Sequence, residues 1–417
     1  MRWLRAVPAD PTPAGVRTMA DAVAAALDGT GPAVVPLPGG PPQLRDAVAA
    51  MSRMDLPLGD PDGLSAQEAG DVVLVVPTSG STGGPKGALL TRQALVHSAR
   101  AAAGRLAGPG RWLLALPTTH VAGLQVVVRA VLADQPPVSV DLTDGFRPEA
   151  FVDATRTLQQ ATRTGAPGGE RPLYTSLVPT QLARLLDAGR AAVEALRCYA
   201  AVLVGAAATP PTLHAQAVDA GVRVVTTYGM TETCGGCVYD GVPLGGVHVA
   251  VDDDGRIRLG GPVVFAGYRA RPDLTAAARL VDDQRIPWHR TRDLGRLDPA
   301  DGRLTVLGRA DDVITTGGEH VVPSTVEDAL VPLPEVAEAA VVGVPDPRWG
   351  ERVTAVVVPA DPARPLDVAQ VRQRLRGVLP AAALPRALVT TPRLPLLASG
   401  KPDRAALRDL ARATMPA

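Results

Sequence analysis

Lysine is nearly missing from this 417-residue chain: of 42 basic residues only Lys86 and Lys401 are lysine, and the other 40 are arginine. Asparagine is absent, and isoleucine occurs only at positions 257, 286 and 314, the signature of codon drift in a GC-rich genome. Without asparagine there is no N-glycosylation sequon. Where drift has removed nearly every other lysine, the two survivors mark positions at which arginine is not expected to substitute. Cysteine is also scarce. Cys198, Cys234 and Cys237 are too few for a disulfide framework in a chain of this length. Cys234-Gly-Gly-Cys237 has redox or zinc spacing, but no second CxxC or nearby histidine pair completes a metal site, so reduced thiols near a pocket are the preferred reading. Charge of one sign is not in excess: 42 acidic residues balance 42 basic ones, which argues against a general nucleic-acid or anionic-membrane binder. No uninterrupted apolar run approaches the roughly 18 residues of a membrane span. The N-terminal MRWLRAVPADPTP lacks the apolar core of a signal peptide, so a cytoplasmic location is expected.

What is present is an ordinary globular composition, 46% hydrophobic and 20% charged, at a length that suggests two to four domains of about 100–200 residues. Val72–Val76, Leu113–Leu116, Ala201–Val204 and Val222–Val225 are continuously apolar and bounded by turn residues, as buried strands are. Between them Leu95, Ala99, Ala102 and Leu106 recur at helical spacing, as do Leu182, Leu185, Leu186 and Leu196. Alternating strands and helices predict an α/β architecture with largely parallel sheets. From about 249 to 306 short strands and turns at Asp253-Asp254-Gly255, Gly260-Gly261 and Asp301-Gly302 predict a small β-rich subdomain. Beyond Gly308-Arg309 the runs Val321–Leu330, Ala339–Val344, Thr354–Val358 and the helix carrying Val368, Val371, Leu375 and Val378 form a smaller α+β unit. The expected division is a domain over 1–308, a hinge at 309–312 and a mobile lid domain over 313–417.

Lys86 lies in Thr78-Ser-Gly-Ser-Thr-Gly-Gly-Pro-Lys-Gly87, directly after the strand Val72–Val76. Such a loop can fold N–H groups and hydroxyls around phosphate oxygens, with the lysine as a point charge; a polar hairpin turn is the alternative. It is neither a Walker A loop nor GxGxxG. Ten residues in this order resemble the phosphate-binding loop of the adenylate-forming superfamily of acyl-CoA synthetases, luciferases and peptide-synthetase adenylation domains. The resemblance implies that Thr78, Ser79, Gly80, Ser81, Thr82 and Lys86 orient the ATP phosphates.

Tyr228-Gly-Met-Thr-Glu-Thr233 places a carboxylate just beyond a strand's carboxyl end, where open α/β sheets bind ligands. Glu232 suits Mg²⁺, a hard cation, and Thr231 can bond a phosphate; a helix cap is the alternative reading. The segment is similar to the family's YGxTE motif, which implies nucleotide contacts for Tyr228, Gly229 and Thr231 and a catalytic place for Thr231 and Glu232. Gly205 and Ala206 resemble the family's small-residue strand end against adenine. Asp293 matches the family's ribose-gripping aspartate, although Arg292 stands where glycine is usual. Gly308-Arg-Ala-Asp-Asp-Val-Ile314 resembles the interdomain hinge, implying ribose contact for Arg309 and a pivot at Asp311; taken by charge alone it is a solvated turn. Gly317 and Gly318 resemble the loop lining the pantetheine channel. Leu394-Pro-Leu-Leu-Ala-Ser-Gly-Lys401-Pro-Asp-Arg404 resembles the motif of the catalytic lysine, with Pro402 replacing an aliphatic residue. These motifs run in family order from about Asp71 to Arg404. The first 70 residues are shorter than usual and carry no assignment beyond helical packing.

Ser-Leu-Val-Pro-Thr-Gln-Leu182 is similar to a segment of the 2-succinylbenzoate–CoA ligases, the branch serving menaquinone synthesis. By itself it is an amphipathic helix start with Pro179 in the first turn. The resemblance implies an acyl pocket at His120, Ser176, Val178 and Thr180, with His120 otherwise a packed or surface histidine. The implied substrates and cofactors are a small carboxylate, ATP, Mg²⁺ and coenzyme A, with no nucleic acid and no integral membrane segment; a homodimer is compatible with all of this. The implied chemistry is formation of an acyl-adenylate and then a thioester. Another aryl or fatty acid, or a carrier-protein thiol as acceptor, is the alternative within this class. A nucleotide-binding regulator without catalysis is the alternative outside it.

Overall fold

The computed structural model describes residues 2–78, 85–163, 171–364, 366–396 and 402–414. The chain forms two compact units, residues 1–250 with 258–291, and residues 251–257 with 292–417. The fold is α/β, and the first unit holds two large sheets.

One sheet orders its strands Leu4–Pro8, Ala33–Leu37, Val72–Thr78, Lys86–Thr91 and Gly267–Tyr268. The first three are parallel, and the last two join antiparallel. Val72 through Val76 are all fully buried, each such side chain contributing about 1.5–3 kcal/mol. Thr78 pairs with Lys86, so the two ends of the glycine-rich segment are joined as a hairpin. Its members Ser79, Gly80, Ser81 and Thr82 lie outside the described residues.

The other sheet is ordered Val242–Pro243, Gly235–Tyr239, Val224–Met230, Ala201–Val204, Leu173–Leu177, Arg111–Leu114 and Val138–Ser139. The last five of these are parallel and the first two turn back antiparallel. Two expected strands shift. Leu113–Leu116 becomes Arg111–Leu114, because Leu116 precedes Pro117 and begins the turn into the helix Val121–Leu132. Val222–Val225 becomes Val224–Met230, because Val222 is drawn into the preceding helix end, where its N–H reaches the Ala217 carbonyl at 3.0 Å. The helix predicted from Leu95 to Leu106 is Arg92–Arg105, capped by the Thr91 hydroxyl on the Ala94 N–H. The leucines from 182 to 196 divide over two helices, Pro179–Asp187 and Arg190–Arg197, separated by Gly189 at φ +91°. In the region expected to be β-rich, Arg279–Val281 pairs with the first part of Pro287–Leu297, while Gly267–Tyr268 joins the first sheet.

In the second unit, the strands Glu319–Val321, Ile314–Thr316, Gly350–Pro359 and Val336–Asp346 lie side by side, with Ala387–Thr390 pairing parallel to Gly350–Pro359. Pro323–Leu330 and Val368–Leu375 bury Val326, Leu330, Val371 and Leu375 on this sheet. The helix Arg404–Thr414 covers another part of it with Leu407 and Ala411. Arg404 pairs with Glu327 and also donates to the Val341 carbonyl, fixing the chain just beyond the lysine motif.

In the first unit the Arg269 side chain is wholly buried. It pairs with Asp62, also wholly buried, at 2.6 Å. Its remaining donors reach the carbonyls of Ser52, Arg53, Leu56 and Pro57 at 2.7–3.2 Å. Asp62 in turn accepts the N–H groups of Ala270 and Gly59. Removing one partner leaves the other charge buried and unpaired. Asp62→Ala is therefore expected to cost about 3–5 kcal/mol and to lower the midpoint of thermal unfolding markedly. An unchanged midpoint would show that the carbonyls alone hold the guanidinium.

Candidate nucleotide-binding site

The strand register of the larger sheet brings His120, Ser176, Val178, Thr180, Gly205, Ala206, Tyr228, Gly229, Thr231 and Glu232 to one edge. Leu114 is opposite Ser176, Leu177 opposite Val204, and Val204 opposite Thr226, all in parallel strands. The segments that leave these strands at their carboxyl ends therefore emerge side by side: Leu116–His120, Val178–Thr180, Gly205–Ala206 and Tyr228–Glu232. This is the edge where α/β sheets take ligands.

Local geometry explains several of these residue types. A Cβ on Gly205 would lie 2.2 Å from the Thr227 hydroxyl, and one on Gly229 would lie 2.1 Å from the Gly235 carbonyl oxygen, so both positions require glycine. Ala206 has φ +67°, a left-handed conformation that costs an ordinary residue about 1 kcal/mol or more and clusters at functional sites. Thr231 and Glu232 sit in a 3₁₀ turn, Thr231–Thr233, rather than a regular helix. The Thr233 hydroxyl accepts the Met230 N–H at 3.0 Å. The cap is thus made by Thr233, and Glu232 points elsewhere.

Its partner is Tyr268. The Tyr268 hydroxyl donates to Glu232 Oε1 at 2.7 Å, and Lys86 Nζ lies 5.3 Å from the Tyr268 ring centroid, within cation–π range. Tyr268 thus brings together Lys86 from the smaller sheet and Glu232 from the larger one. Its own position is fixed by several contacts. The Thr275 hydroxyl accepts its N–H at 2.9 Å, Phe265 packs edge-on at 4.8 Å, and the next residue, Arg269, donates its N–H to the Gly87 carbonyl at 2.7 Å. A Cβ on Gly87 would come within 2.4 Å of Met51 Sδ. Tyr268 and Arg269 were not singled out in the sequence. The only local signal was Gly-Tyr-Arg closing the apolar run Val263–Phe265, and the partners Glu232 and Asp62 stand 36 and 207 residues away.

Among the described residues no group of three or more His, Cys, Asp or Glu gathers as a metal site. A single carboxylate nevertheless fits Mg²⁺ bound with a nucleotide, because such an ion takes one or two protein carboxylates and completes its shell with phosphate and water oxygens. Tyr268 holds Glu232 through Oε1.

The acyl-pocket candidates fall on the same edge. His120 is exposed and stands at the N-cap position of the helix Val121–Leu132, with no side-chain capping hydrogen bond. Ser176 is half-buried in its strand, Val178 starts the helix Pro179–Asp187, and Thr180 is exposed in its first turn. Gln181 ties this corner down: its Oε1 accepts the Val178 N–H at 3.0 Å, and its Nε2 donates to the Ala115 carbonyl at 2.9 Å. Cys234 and Cys237 are fully buried. Burial pushes both thiols up, Cys237 to about 12, which suppresses the thiolate that redox or zinc chemistry needs. Gln125 Nε2 and the Ser98 hydroxyl donate to the Cys234 carbonyl, giving this segment a packing role behind the Thr231–Thr233 turn.

In the second unit Asp293 stands opposite Arg309 in the register of Pro287–Leu297 with Leu304–Arg309. Arg292, the departure from the family's glycine, reaches Asp311 Oδ2 at 3.1 Å, and Arg309 reaches the same oxygen at 3.3 Å. Burial acts to raise the Asp311 carboxyl, but the two guanidinium groups outweigh it and hold the group below the usual carboxylate range. Gly317 and Gly318 form the two-residue turn of the hairpin Ile314–Thr316 and Glu319–Val321, at φ +60° and +85°. Two consecutive left-handed residues are what such a tight turn demands. Lys401 lies outside the described residues, in 397–401.

A family model described as AMP-binding enzyme matches residues 18–284, and one described as AMP-binding enzyme C-terminal domain matches residues 325–401. A probable 2-succinylbenzoate–CoA ligase of Mycobacterium tuberculosis is 43% identical over 95% of this chain and 96% of its own length. An indoleacetate–CoA ligase of Aromatoleum aromaticum is 34% identical over 81% of this chain and 67% of its own. Among solved structures, ATP-bound MatB from Rhodopseudomonas palustris superposes with a TM-score of 0.75 at 25% identity, covering 98% of this chain and 89% of that one. The o-succinylbenzoate CoA synthetase (MenE) of Bacillus subtilis, in complex with its acyl-adenylate intermediate OSB-AMP, gives 0.71 at 24%, over 98% and 88%, a likeness of fold. With the family model spanning most of the first unit and a relative this similar along nearly the whole length, the chain belongs to the AMP-binding enzymes.

Proposed function

We propose that the protein is an ATP-dependent acid–CoA ligase that works through an acyl-adenylate and converts 2-succinylbenzoate to its CoA thioester, a step of menaquinone synthesis. The observation that carries the reading within the structure is the convergence of Lys86 and Glu232 on Tyr268. It places an ammonium and a carboxylate together at the edge where strands deliver nucleotide-binding loops. The near full-length similarity to the M. tuberculosis protein supports the substrate. Relatives acting on indoleacetate and ferulate at 33–34% identity favour a second reading, a ligase for another aryl acid.

In the proposed mechanism Lys86, with Thr78, Ser79, Gly80, Ser81 and Thr82, orients the outer phosphates for in-line displacement. Glu232, held by Tyr268, supplies the protein oxygen for Mg²⁺, which when bound neutralises phosphate charge. Gly205, Ala206, Tyr228, Gly229 and Thr231 line the nucleotide, and Asp293 and Arg309 address its ribose. A carboxylate accepts two hydroxyl hydrogen bonds readily. His120, Ser176, Val178 and Thr180 border the acyl group. Lys401 stabilises charge developing at the α-phosphate as the substrate carboxylate attacks. Thioester formation then needs the Gly317–Gly318 turn in place of Lys401, with Asp311 as the pivot between the two steps. The enzyme is proposed to act in the cytoplasm, as a monomer or a homodimer.

Substrate-dependent pyrophosphate exchange tests the assignment: 2-succinylbenzoate should support exchange and other aryl acids should support far less. Exchange with a different acid alone would replace the substrate, and exchange with none would point to a nucleotide-binding regulator. Lys401→Ala should abolish adenylation yet still turn over preformed acyl-adenylate with CoA; equal loss of both half-reactions would refute the two-step division. Lys86→Arg and Lys401→Arg should each impair adenylation with the fold intact, since a planar fork does not replace a compact ammonium. Tyr268→Phe removes a hydrogen bond to a charged group, a loss of about 1.5–3 kcal/mol. It should raise the Mg²⁺ concentration needed for half-maximal exchange about tenfold or more, and an unchanged Mg²⁺ dependence would remove Tyr268 from the site.

A further inference from the structure

We infer that the first unit carries a second binding site, at the amino ends of the larger sheet, for a small carboxylate with an apolar body. A cavity of about 240 Å³ lies there between the helices Arg92–Arg105 and Val121–Leu132, far above the roughly 10–15 Å³ that a single water needs. Trp112 and Tyr174 border it; they stand opposite each other in parallel strands, with ring centroids 5.0 Å apart. The Tyr174 hydroxyl donates to the Gly108 carbonyl at 2.9 Å, and a Cβ on Gly110 would come within 2.5 Å of the Tyr174 ring, so this wall is closely built. Val96, Ala99, Ala103 and Leu106 from one helix and the exposed Leu132 from the other make the lining apolar. The cavity is separate from the nucleotide edge: Gly108–Gly110 enter the strand whose carboxyl end leads to His120. From His120 to Arg129 the helix rises about 13 Å.

Arg129 supplies the charge. It stands in the otherwise uncharged helix Val121–Leu132, lines the cavity and is 7% exposed. Its guanidinium lies 4.8 Å from the Trp112 ring centroid and donates to the Tyr239 hydroxyl at 3.1 Å. Its Nε is buried without a hydrogen-bond partner, and among the described residues no carboxylate pairs with it. Arg269 shows what a buried guanidinium otherwise takes in this unit, a carboxylate and four carbonyls. Arg129 has one hydroxyl and a ring face in their place, and a buried charge without a counter-ion is costly. Stacking on an aromatic face leaves the in-plane N–H edge free to meet a carboxylate and holds it in one orientation. Arg100 also lines the cavity, is exposed, and has no carboxylate partner among the described residues. A ligand carboxylate supplies both the missing acceptor and the missing charge. The apolar lining then selects a molecule whose remainder is hydrocarbon.

Calorimetric titration of the full chain with 2-naphthoate, and with 2-naphthamide as its uncharged counterpart, tests the site. The parent should bind 2-naphthoate about tenfold more tightly than the amide, the margin of a charged hydrogen bond. Arg129→Met should abolish that preference while amide binding changes less than twofold. Ala103→Trp fills the cavity from a half-buried helix position. It should remove binding of both probes at an unchanged midpoint of thermal unfolding, and it decides the matter even if Arg129→Met fails to fold. Equal affinity of the parent for the two probes would overturn the site, as would a preference kept by Arg129→Met. Affinities left intact by Ala103→Trp would place the probe elsewhere, at the nucleotide edge, and overturn it too. A parent that binds neither probe, and that Ala103→Trp converts from dimer to monomer, would assign the cavity to a second copy of the chain and refute the small-ligand site.

Discussion

A buried positive charge is tolerable in a protein only when its donors are met, and Arg269 meets that condition. One carboxylate and four backbone carbonyls converge on it. The carbonyls belong to the irregular stretch between Ser52 and Pro57, which follows the helix Pro42–Ser52. The guanidinium therefore organises that stretch and in return is held immobile. Tyr268 precedes it in the chain, so the tyrosine that positions Glu232 and Lys86 rests on a residue that cannot shift without exposing an uncompensated charge. Arg269 is also tied to the residue after Lys86, donating its N–H to the Gly87 carbonyl, so the ion pair steadies both strands that carry Lys86 and Tyr268.

The two sheets of the first unit contribute different things. The larger one supplies a row of parallel carboxyl ends, where backbone is held in conformations that few residue types accept, as Gly205, Ala206 and Gly229 show. The smaller one supplies Lys86 on an antiparallel strand whose neighbour in the sheet is the short strand of Tyr268. Neither sheet alone has both charges. Tyr268 spans them because an aromatic ring offers a face to the ammonium and a hydroxyl to the carboxylate at once.

What could be read from the residues follows from the range of the interactions. The valine run at 72–76 and the alternation of strands with helices depend on local pattern and appear in the structure nearly as expected. The boundaries at 113–116 and 222–225 moved because a proline and a helix end overrode apolar continuity. Glu232 was legible because its neighbours in sequence form a motif. Tyr268 and Arg269 were not, because what defines them is a partner far along the chain, and a tyrosine or arginine carries no mark of that partner. The pair Gly317–Gly318 shows an intermediate case: the glycines were visible, while the reason for two of them, a left-handed two-residue turn, required the register of the hairpin.

The burial of Cys234 and Cys237 has a consequence for chemistry outside the active site. An enzyme proposed to handle a free thiol cosubstrate is exposed to mixed-disulfide formation at its own cysteines. Here two of the three are shut away with their thiols pushed toward the protonated form, which leaves Cys198 as the one exposed sulfhydryl. Cys198 follows the helix Arg190–Arg197 and precedes the strand Ala201–Val204, so it lies at the amino end of a strand whose carboxyl end carries Gly205. The fold thus provides a native attachment point for a single fluorophore or spin label, on the far side of the sheet from the nucleotide edge.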